Sequence, residues 1–171
     1  MVIIITGAGH AGKTLLAQRL LEKYKYSCFS IDHLKMGLIR SGNTELSPLS
    51  DTASLTGYLW PIVAEMIKTA IENEQNLIVE GCYVPCNWDK SFSEEYLENI
   101  KLICILMSEK YIESHFEDIS RFADVIEKRL CDDLTKEWLI KENEFYRQFS
   151  ENVRNKIILI DEAYNISADE I

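Results

Sequence analysis

Residues 7–14 read Gly-Ala-Gly-His-Ala-Gly-Lys-Thr. This stretch fits the phosphate-loop pattern, in which a glycine is followed by four residues and then by Gly-Lys-Thr. The flanking residues agree with that pattern, because the β-branched run 2–6 predicts a strand and residues 14–24 carry apolar side chains at helical spacing. A strand leading into the loop and a helix leaving it would aim consecutive backbone N–H groups at the same phosphate oxygens.

The side chains of the loop have distinct expected roles. Lys13 is expected to act in catalysis by placing its ammonium against the β- and γ-phosphates, and Thr14 is expected to offer its hydroxyl to Mg²⁺. His10 either fills space in the loop or contacts the phosphates or the acceptor. The sequence therefore predicts ATP and Mg²⁺ as cofactors and a nucleotide site made of Gly7, Ala8, Gly9, His10, Ala11, Gly12, Lys13 and Thr14.

Length and charge limit the possible functions of the chain. Its 171 residues suit one domain, and 18 basic against 28 acidic side chains give a net charge of −10. Such an acidic surface would repel a phosphate backbone, so we expect no nucleic-acid partner. A small anionic ligand would need its own local positive site.

Composition also predicts a cytoplasmic protein that crosses no membrane. The strictly apolar run 102–107 is far shorter than the ~20 residues that a spanning helix needs. No basic residue precedes Lys13, so a signal-peptide n-region is not expected. The five cysteines are an odd number and favour a reducing compartment. Cys82 and Cys86 lie close together in sequence, but no second Cys or His pair at ligand spacing supports a zinc site.

The alternation of strands and helices predicts an α/β fold with a parallel sheet covered on both faces. Predicted strands cover residues 2–6, 27–31, 77–80, 101–107 and 156–160. Predicted helices cover residues 14–24, 34–40, 51–74, 109–118, 119–130 and 135–152, with a loop over 41–50. Pro61 predicts a kink or a new helix start within the region 51–74.

These features together resemble the nucleotide and small-molecule kinases related to adenylate, shikimate and gluconate kinases. The stretch 30–40, Ser-Ile-Asp-His-Leu-Lys-Met-Gly-Leu-Ile-Arg, is similar to small bacterial proteins labelled adenylate kinase or 2-phosphoglycerate kinase. The resemblance implies a three-layer P-loop kinase fold over residues 1–171, with a five-stranded parallel sheet in the order 2-3-1-4-5. It also implies an acceptor-binding region over about 32–75, a helical lid over about 110–135 and main-chain contacts to the base at 161–166.

Two carboxylates stand where predicted parallel strands end, which is where open α/β sheets bind ligands. The resemblance implies that Asp32 binds or deprotonates the acceptor hydroxyl, and Asp32 as a helix N-cap is the alternative. Glu80 resembles the acid that holds Mg²⁺ through water, and a surface acid is the alternative.

Further candidates come from the segments around the expected cleft. Arg40 would clamp an anionic group of the acceptor or else lie at a solvated helix end, and Tyr83 and Trp88 would line the acceptor pocket or else simply pack. Arg129, and after it Arg121, would reach from the lid to the transferring phosphoryl group, the alternative being a solvated face.

The sequence thus predicts a kinase that transfers the γ-phosphate of Mg-ATP to a hydroxyl of a small molecule. One alternative is a nucleoside monophosphate kinase, and another is an ATP-binding regulatory domain that transfers nothing. A GTP switch is disfavoured, since the chain has neither an Asp-x-x-Gly nor an Asn-Lys-x-Asp motif. We expect a monomer or a homodimer.

Overall fold

The computed structural model describes residues 1–122 and 134–170, and its centre is a five-stranded parallel sheet. The strands stand in the order β2-β3-β1-β4-β5, which confirms the predicted fold class and strand order. Their bounds are β1 Val2–Gly7, β2 Ser27–Ser30, β3 Leu77–Glu80, β4 Ile100–Met107 and β5 Asn155–Ile160. All six residues of β1 are buried, as expected for a central parallel strand covered on both faces.

Helices connect the strands. Their bounds are α1 Lys13–Tyr24, α2 Ile31–Arg40, α3 Thr52–Glu72, α4 Glu94–Leu97, α5 Glu109–Arg121 and α6 Lys136–Tyr146, with short 3₁₀ segments at Trp88–Ser91, Arg147–Glu151 and Ala168–Glu170. In the part of the chain that the structure describes, no helix is both long and apolar enough to cross a membrane.

The register of the sheet brings three loops to one edge. Ile5 of β1 pairs with Glu80 of β3, and Glu80 in turn pairs with Ser30 of β2. Because all three strands run parallel, the residues that follow them emerge side by side. The phosphate loop, the end of β3 and the start of α2 are therefore neighbours.

The prediction of a new helix start at Pro61 is wrong. Helix α3 runs unbroken from Thr52 to Glu72, with Pro61 inside it and exposed. An interior proline costs about 3 kcal/mol, but each large apolar side chain that is fully buried returns roughly 1.5–3 kcal/mol. Residues on both sides of Pro61 are buried, among them Leu55, Leu59, Trp60, Val63, Ala64, Ile67 and Ala70. Packing therefore outweighs the break that the sequence suggests.

Three other predicted boundaries differ from the structure. Helix α2 begins at Ile31 with Ser30 as its N-cap residue, so the N-cap alternative for Asp32 is wrong and Asp32 lies in the first helical turn. The predicted helix 135–152 is α6 followed by the 3₁₀ segment Arg147–Glu151. The predicted helices 109–118 and 119–130 meet at a different place, because α5 is kinked at His115, where φ is −122° and ψ is 19°, and it ends at Arg121. The lid beyond it remains a prediction because 123–133 lie outside the described residues.

Candidate functional site

The loop between β1 and α1 has a shape that requires glycine at two positions. Gly7 and Gly12 have φ angles of 130° and 88°, a region that residues with a side chain rarely adopt. A Cβ atom on Gly7 would overlap the carbonyl oxygen of Ile105, and one on Gly12 would overlap the hydroxyl of Tyr164. Close packing on both sides thus holds the loop in this conformation.

The side chain of Lys13 folds over its own loop. Its Nζ donates to the carbonyl oxygens of Gly7 at 3.1 Å and Ala8 at 2.8 Å. The ammonium therefore lies against the backbone at the start of the loop.

Thr14 and Glu80 form the second part of the site. The hydroxyl of Thr14 donates to Oε2 of Glu80 at 3.2 Å, and Glu80 is only 3% exposed. Mg²⁺ prefers oxygen ligands and is usually held by one or two protein oxygens together with phosphates and water. A hydroxyl and a carboxylate at this distance, beside the phosphate loop, fit such an ion.

Asp32 belongs to a polar cluster that includes a lysine the sequence analysis did not single out. Nζ of Lys35 donates to Oδ1 of Asp32 at 2.6 Å and to the hydroxyl of Tyr83 at 2.8 Å. The Lys35 side chain is 13% exposed and that of Asp32 is 33% exposed. Burial alone would lower the pKa of Lys35, but its hydrogen bonds to Asp32 and Tyr83 outweigh burial and raise that pKa. The ammonium is therefore a fixed positive charge beside the candidate base.

Electrostatics link this cluster to the phosphate loop. The pKa of the Cys82 thiol is raised to about 11, mainly by burial, and the charges of Lys13, Asp32, Glu142 and Lys35 all act on that thiol. Cys82 follows β3 and Gly81, and its carbonyl accepts a hydrogen bond from the hydroxyl of Tyr146. The four charged side chains thus all act on one thiol just after β3, at the carboxyl edge of the sheet.

Helix α6 adds two residues that the sequence analysis missed. The backbone N–H of Gly9 donates to Oε2 of Glu142 at 2.6 Å. The ring of Trp138 packs edge to face against that of His10, with centroids 6.3 Å apart. No local signal could have found this pair, since Glu142 stands 133 residues after Gly9 and only the tertiary fold brings them together.

Other candidates lie away from this cluster or outside the described residues. Trp88 is a core residue instead of a pocket wall, since it is 1% exposed and its Nε1 donates to Oδ1 of Asn155.

Arg40 is exposed at the last turn of α2, about 12 Å along the helix from Asp32. Arg121 is exposed at the end of α5, with its guanidinium 5.8 Å from the ring of Phe122. Arg129 lies outside the described residues.

Solved structures with the same fold include several kinases of small molecules. A gluconokinase from Sinorhizobium meliloti superposes with a TM-score of 0.59 at 14% identity, covering 95% of this chain and 84% of that one. A sugar kinase from a Janibacter species gives 0.56 at 11% identity, covering 94% and 84%. A shikimate kinase from Bacteroides thetaiotaomicron gives 0.55 at 16% identity, covering 93% and 86%. The chain therefore has the P-loop kinase fold.

Comparison of the amino-acid sequence with known proteins identifies no family for this chain. No family model matches this chain, and no curated protein matches it either. Identities of 11–16% to the solved kinases establish the fold alone.

Proposed function

We propose that this chain is a Mg²⁺-dependent phosphotransferase that moves the γ-phosphate of ATP to a hydroxyl of a small molecule. One observation carries the proposal: the hydroxyl of Thr14 meets the buried carboxylate of Glu80 beside a complete phosphate loop, and Asp32 lies at the same edge of the sheet. A loop that bound phosphate for purely structural reasons would not need two acids at neighbouring strand ends.

The proposed roles follow from chemistry. The loop N–H groups and Lys13 bind the phosphates and offset the negative charge that grows on the transferring group. Thr14 and Glu80 would hold Mg²⁺, which when bound neutralises phosphate charge. Asp32 orients the acceptor hydroxyl and takes its proton. The acceptor oxygen forms a bond to the γ-phosphorus as the bond from that phosphorus to the bridging oxygen breaks, and ADP leaves.

The acceptor contacts in this proposal come from the cluster around Asp32. Tyr83 is also buried, at 7% exposed, but it stays a candidate because its hydroxyl accepts from Lys35 beside Asp32. Trp88 is left out because it is 1% exposed and its Nε1 donates to Asn155 instead. Arg40, Arg121 and Arg129 stay candidates that would have to approach the site when a substrate binds. The acceptor is a small molecule, and we further propose a protein of the reducing cytoplasm without a nucleic-acid partner.

Lys35 favours a second candidate, a nucleoside monophosphate kinase. An ammonium has three donors, two of which go to Asp32 and Tyr83. The third would meet an anionic group of the acceptor, which a monophosphate or a sugar acid carries. A phosphate acceptor is already anionic and needs no base, whereas a hydroxyl acceptor makes use of Asp32.

The test measures ADP formation from Mg-ATP by the wild type and by Lys13→Ala, with Lys110→Ala as an exposed control. Separate pools of nucleoside monophosphates, sugar acids, phosphorylated three-carbon acids and hydroxyl-bearing antibiotics are added as acceptors. Stimulation by one pool, lost in Lys13→Ala and kept in Lys110→Ala, supports a kinase and identifies its acceptor class. Lys13-dependent ATP binding without stimulation by any pool would favour the ATP-binding regulatory domain. Turnover that Lys13→Ala leaves unchanged would contradict the phosphate-loop assignment.

A further inference from the structure

The carboxylate of Glu142 contacts a backbone N–H group of the phosphate loop. It accepts the backbone N–H of Gly9 at 2.6 Å, which is a short, charge-assisted hydrogen bond. Phosphate loops bind nucleotides through backbone N–H groups of this kind. A side-chain carboxylate of the protein therefore makes the type of contact that a phosphate oxygen would make.

Helix α6 covers the loop closely at this point. A Cβ atom on Gly9 would lie 2.8 Å from Oε2 of Glu142 and 2.9 Å from Cη2 of Trp138. Trp138 also packs against His10, the next residue of the loop. Trp138 and Glu142 are four residues apart, so they project from the same face of α6. One helix face thus lies against residues 9 and 10 of the loop.

Buried contacts hold α6 in this place. Oδ1 of Asn143 accepts the backbone N–H of Met107 at 2.7 Å, where β4 ends, and Asn143 is 2% exposed. Leu139 is fully buried, and the hydroxyl of Tyr146 donates to the carbonyl of Cys82 at 2.7 Å. These anchors lie on both sides of Glu142 along the helix, so the docking of α6 does not depend on the contact between Glu142 and Gly9.

We propose that Glu142 is an internal competitor of the nucleotide, whose carboxylate must leave the Gly9 N–H before the phosphates of ATP can bind there. The inference rests on the proposed function, because it assumes that the loop binds a nucleotide. A carboxylate and a phosphate repel each other at short distance, and the repulsion is strong in a partly buried site. Glu142 thereby weakens the affinity of the loop for phosphate and sets the concentration at which nucleotide binds.

The experiment measures the dissociation constant of Mg-ATP by titration calorimetry at 0.15 M salt (roughly physiological), without an acceptor. Glu142→Gln removes the charge and keeps an oxygen that can accept from Gly9, while Glu144→Gln removes an exposed charge from the same helix. We expect Glu142→Gln to bind Mg-ATP at least about tenfold more tightly, within the range typical of coupling between two sites. Glu144→Gln should bind like the wild type, and thermal melting checks that each variant is folded.

The outcomes separate this inference from the proposed function. Tighter binding by Glu142→Gln supports it, as does binding by Glu142→Gln when the wild type binds nothing. The inference is overturned if Glu142→Gln binds Mg-ATP no more tightly than the wild type does. The proposed function still stands in that case, provided that Lys13→Ala abolishes the binding seen in the wild type. The inference and the proposed function are both contradicted if neither the wild type nor Glu142→Gln binds Mg-ATP. They are also both contradicted if Lys13→Ala leaves the binding unchanged.

Discussion

The hydroxyl of Thr14 donates to the carboxylate of Glu80 at 3.2 Å, although 66 residues separate them in the chain. The contact follows from the sheet, because β1 and β3 are adjacent and parallel and Ile5 pairs with Glu80. The first turn of α1 therefore begins beside the end of β3. This relationship places a hydroxyl and a carboxylate side by side at the phosphate loop.

Glu80→Gln should strongly reduce phosphotransfer and raise the Mg²⁺ concentration needed for half-maximal rate by about tenfold or more, a loss typical for a group that holds a metal ligand in place. The amide keeps the shape of the side chain and can accept from Thr14, but it lacks the negative charge that favours the ion. The rate of ADP formation is measured against Mg²⁺ concentration. Glu98→Gln, which changes an exposed acid, serves as the control. An unchanged Mg²⁺ dependence in Glu80→Gln would assign Glu80 a structural role.

Asp32→Asn should lower turnover by ~100-fold while leaving the affinity for Mg-ATP unchanged. Asparagine keeps the size of the side chain and can accept from Lys35, but it cannot take the proton of an acceptor hydroxyl. The rate is measured with the acceptor pool that stimulates the wild type, and affinity is measured by calorimetry. The exposed Asp118→Asn is the control. If the acceptor is a nucleoside monophosphate, Asp32→Asn should retain most of the activity, because a phosphate acceptor needs no base.

Trp88→Ala should destabilise the fold by about 3–5 kcal/mol, the usual cost of truncating a buried aromatic side chain. Trp88 is 1% exposed, and its ring packs edge to face near that of Phe92. Urea unfolding at neutral pH measures the change in the free energy of unfolding. Trp138→Ala is the matched comparison, since this tryptophan is 44% exposed and should cost much less. Similar losses in both variants would argue against the core position of Trp88.

Alkaline pH should destabilise the fold as Cys82 deprotonates. Burial raises the pKa of this thiol from 9.0 to about 11 in the folded chain, so the unfolded chain loses its proton first as pH rises. The protonated thiol makes its full contribution to the free energy of unfolding below pH 9. That contribution declines as pH rises, and about 2 kcal/mol of it is lost at pH 11. Unfolding free energies at pH 8 and 10.5 are compared for the wild type and Cys82→Ala. The wild type should lose more stability over this interval than the variant, and equal losses would contradict the raised pKa.

Much of the fold and part of the site follow from local sequence patterns. The run 2–6, the loop 7–14 and the helical spacing of 14–24 predict the strand, loop and helix that the structure contains. Local patterns were less reliable where packing competes with propensity. Pro61 predicted a kink or a new helix start, but α3 continues through it, and Trp88, predicted either to line a pocket or simply to pack, is buried in the core.

The α/β fold class, the phosphate loop and the candidate acids at the ends of β2 and β3 follow from the sequence, because each depends on the periodicity or spacing of neighbouring residues. The strand order was instead implied by the resemblance to P-loop kinases. Contacts between distant parts of the chain came from the tertiary structure alone. Lys35 reaches Tyr83 across 48 residues, and Glu142 reaches Gly9 across 133 residues. Such contacts depend on how helices dock on the sheet, and the docking is set by buried surfaces spread over the whole chain.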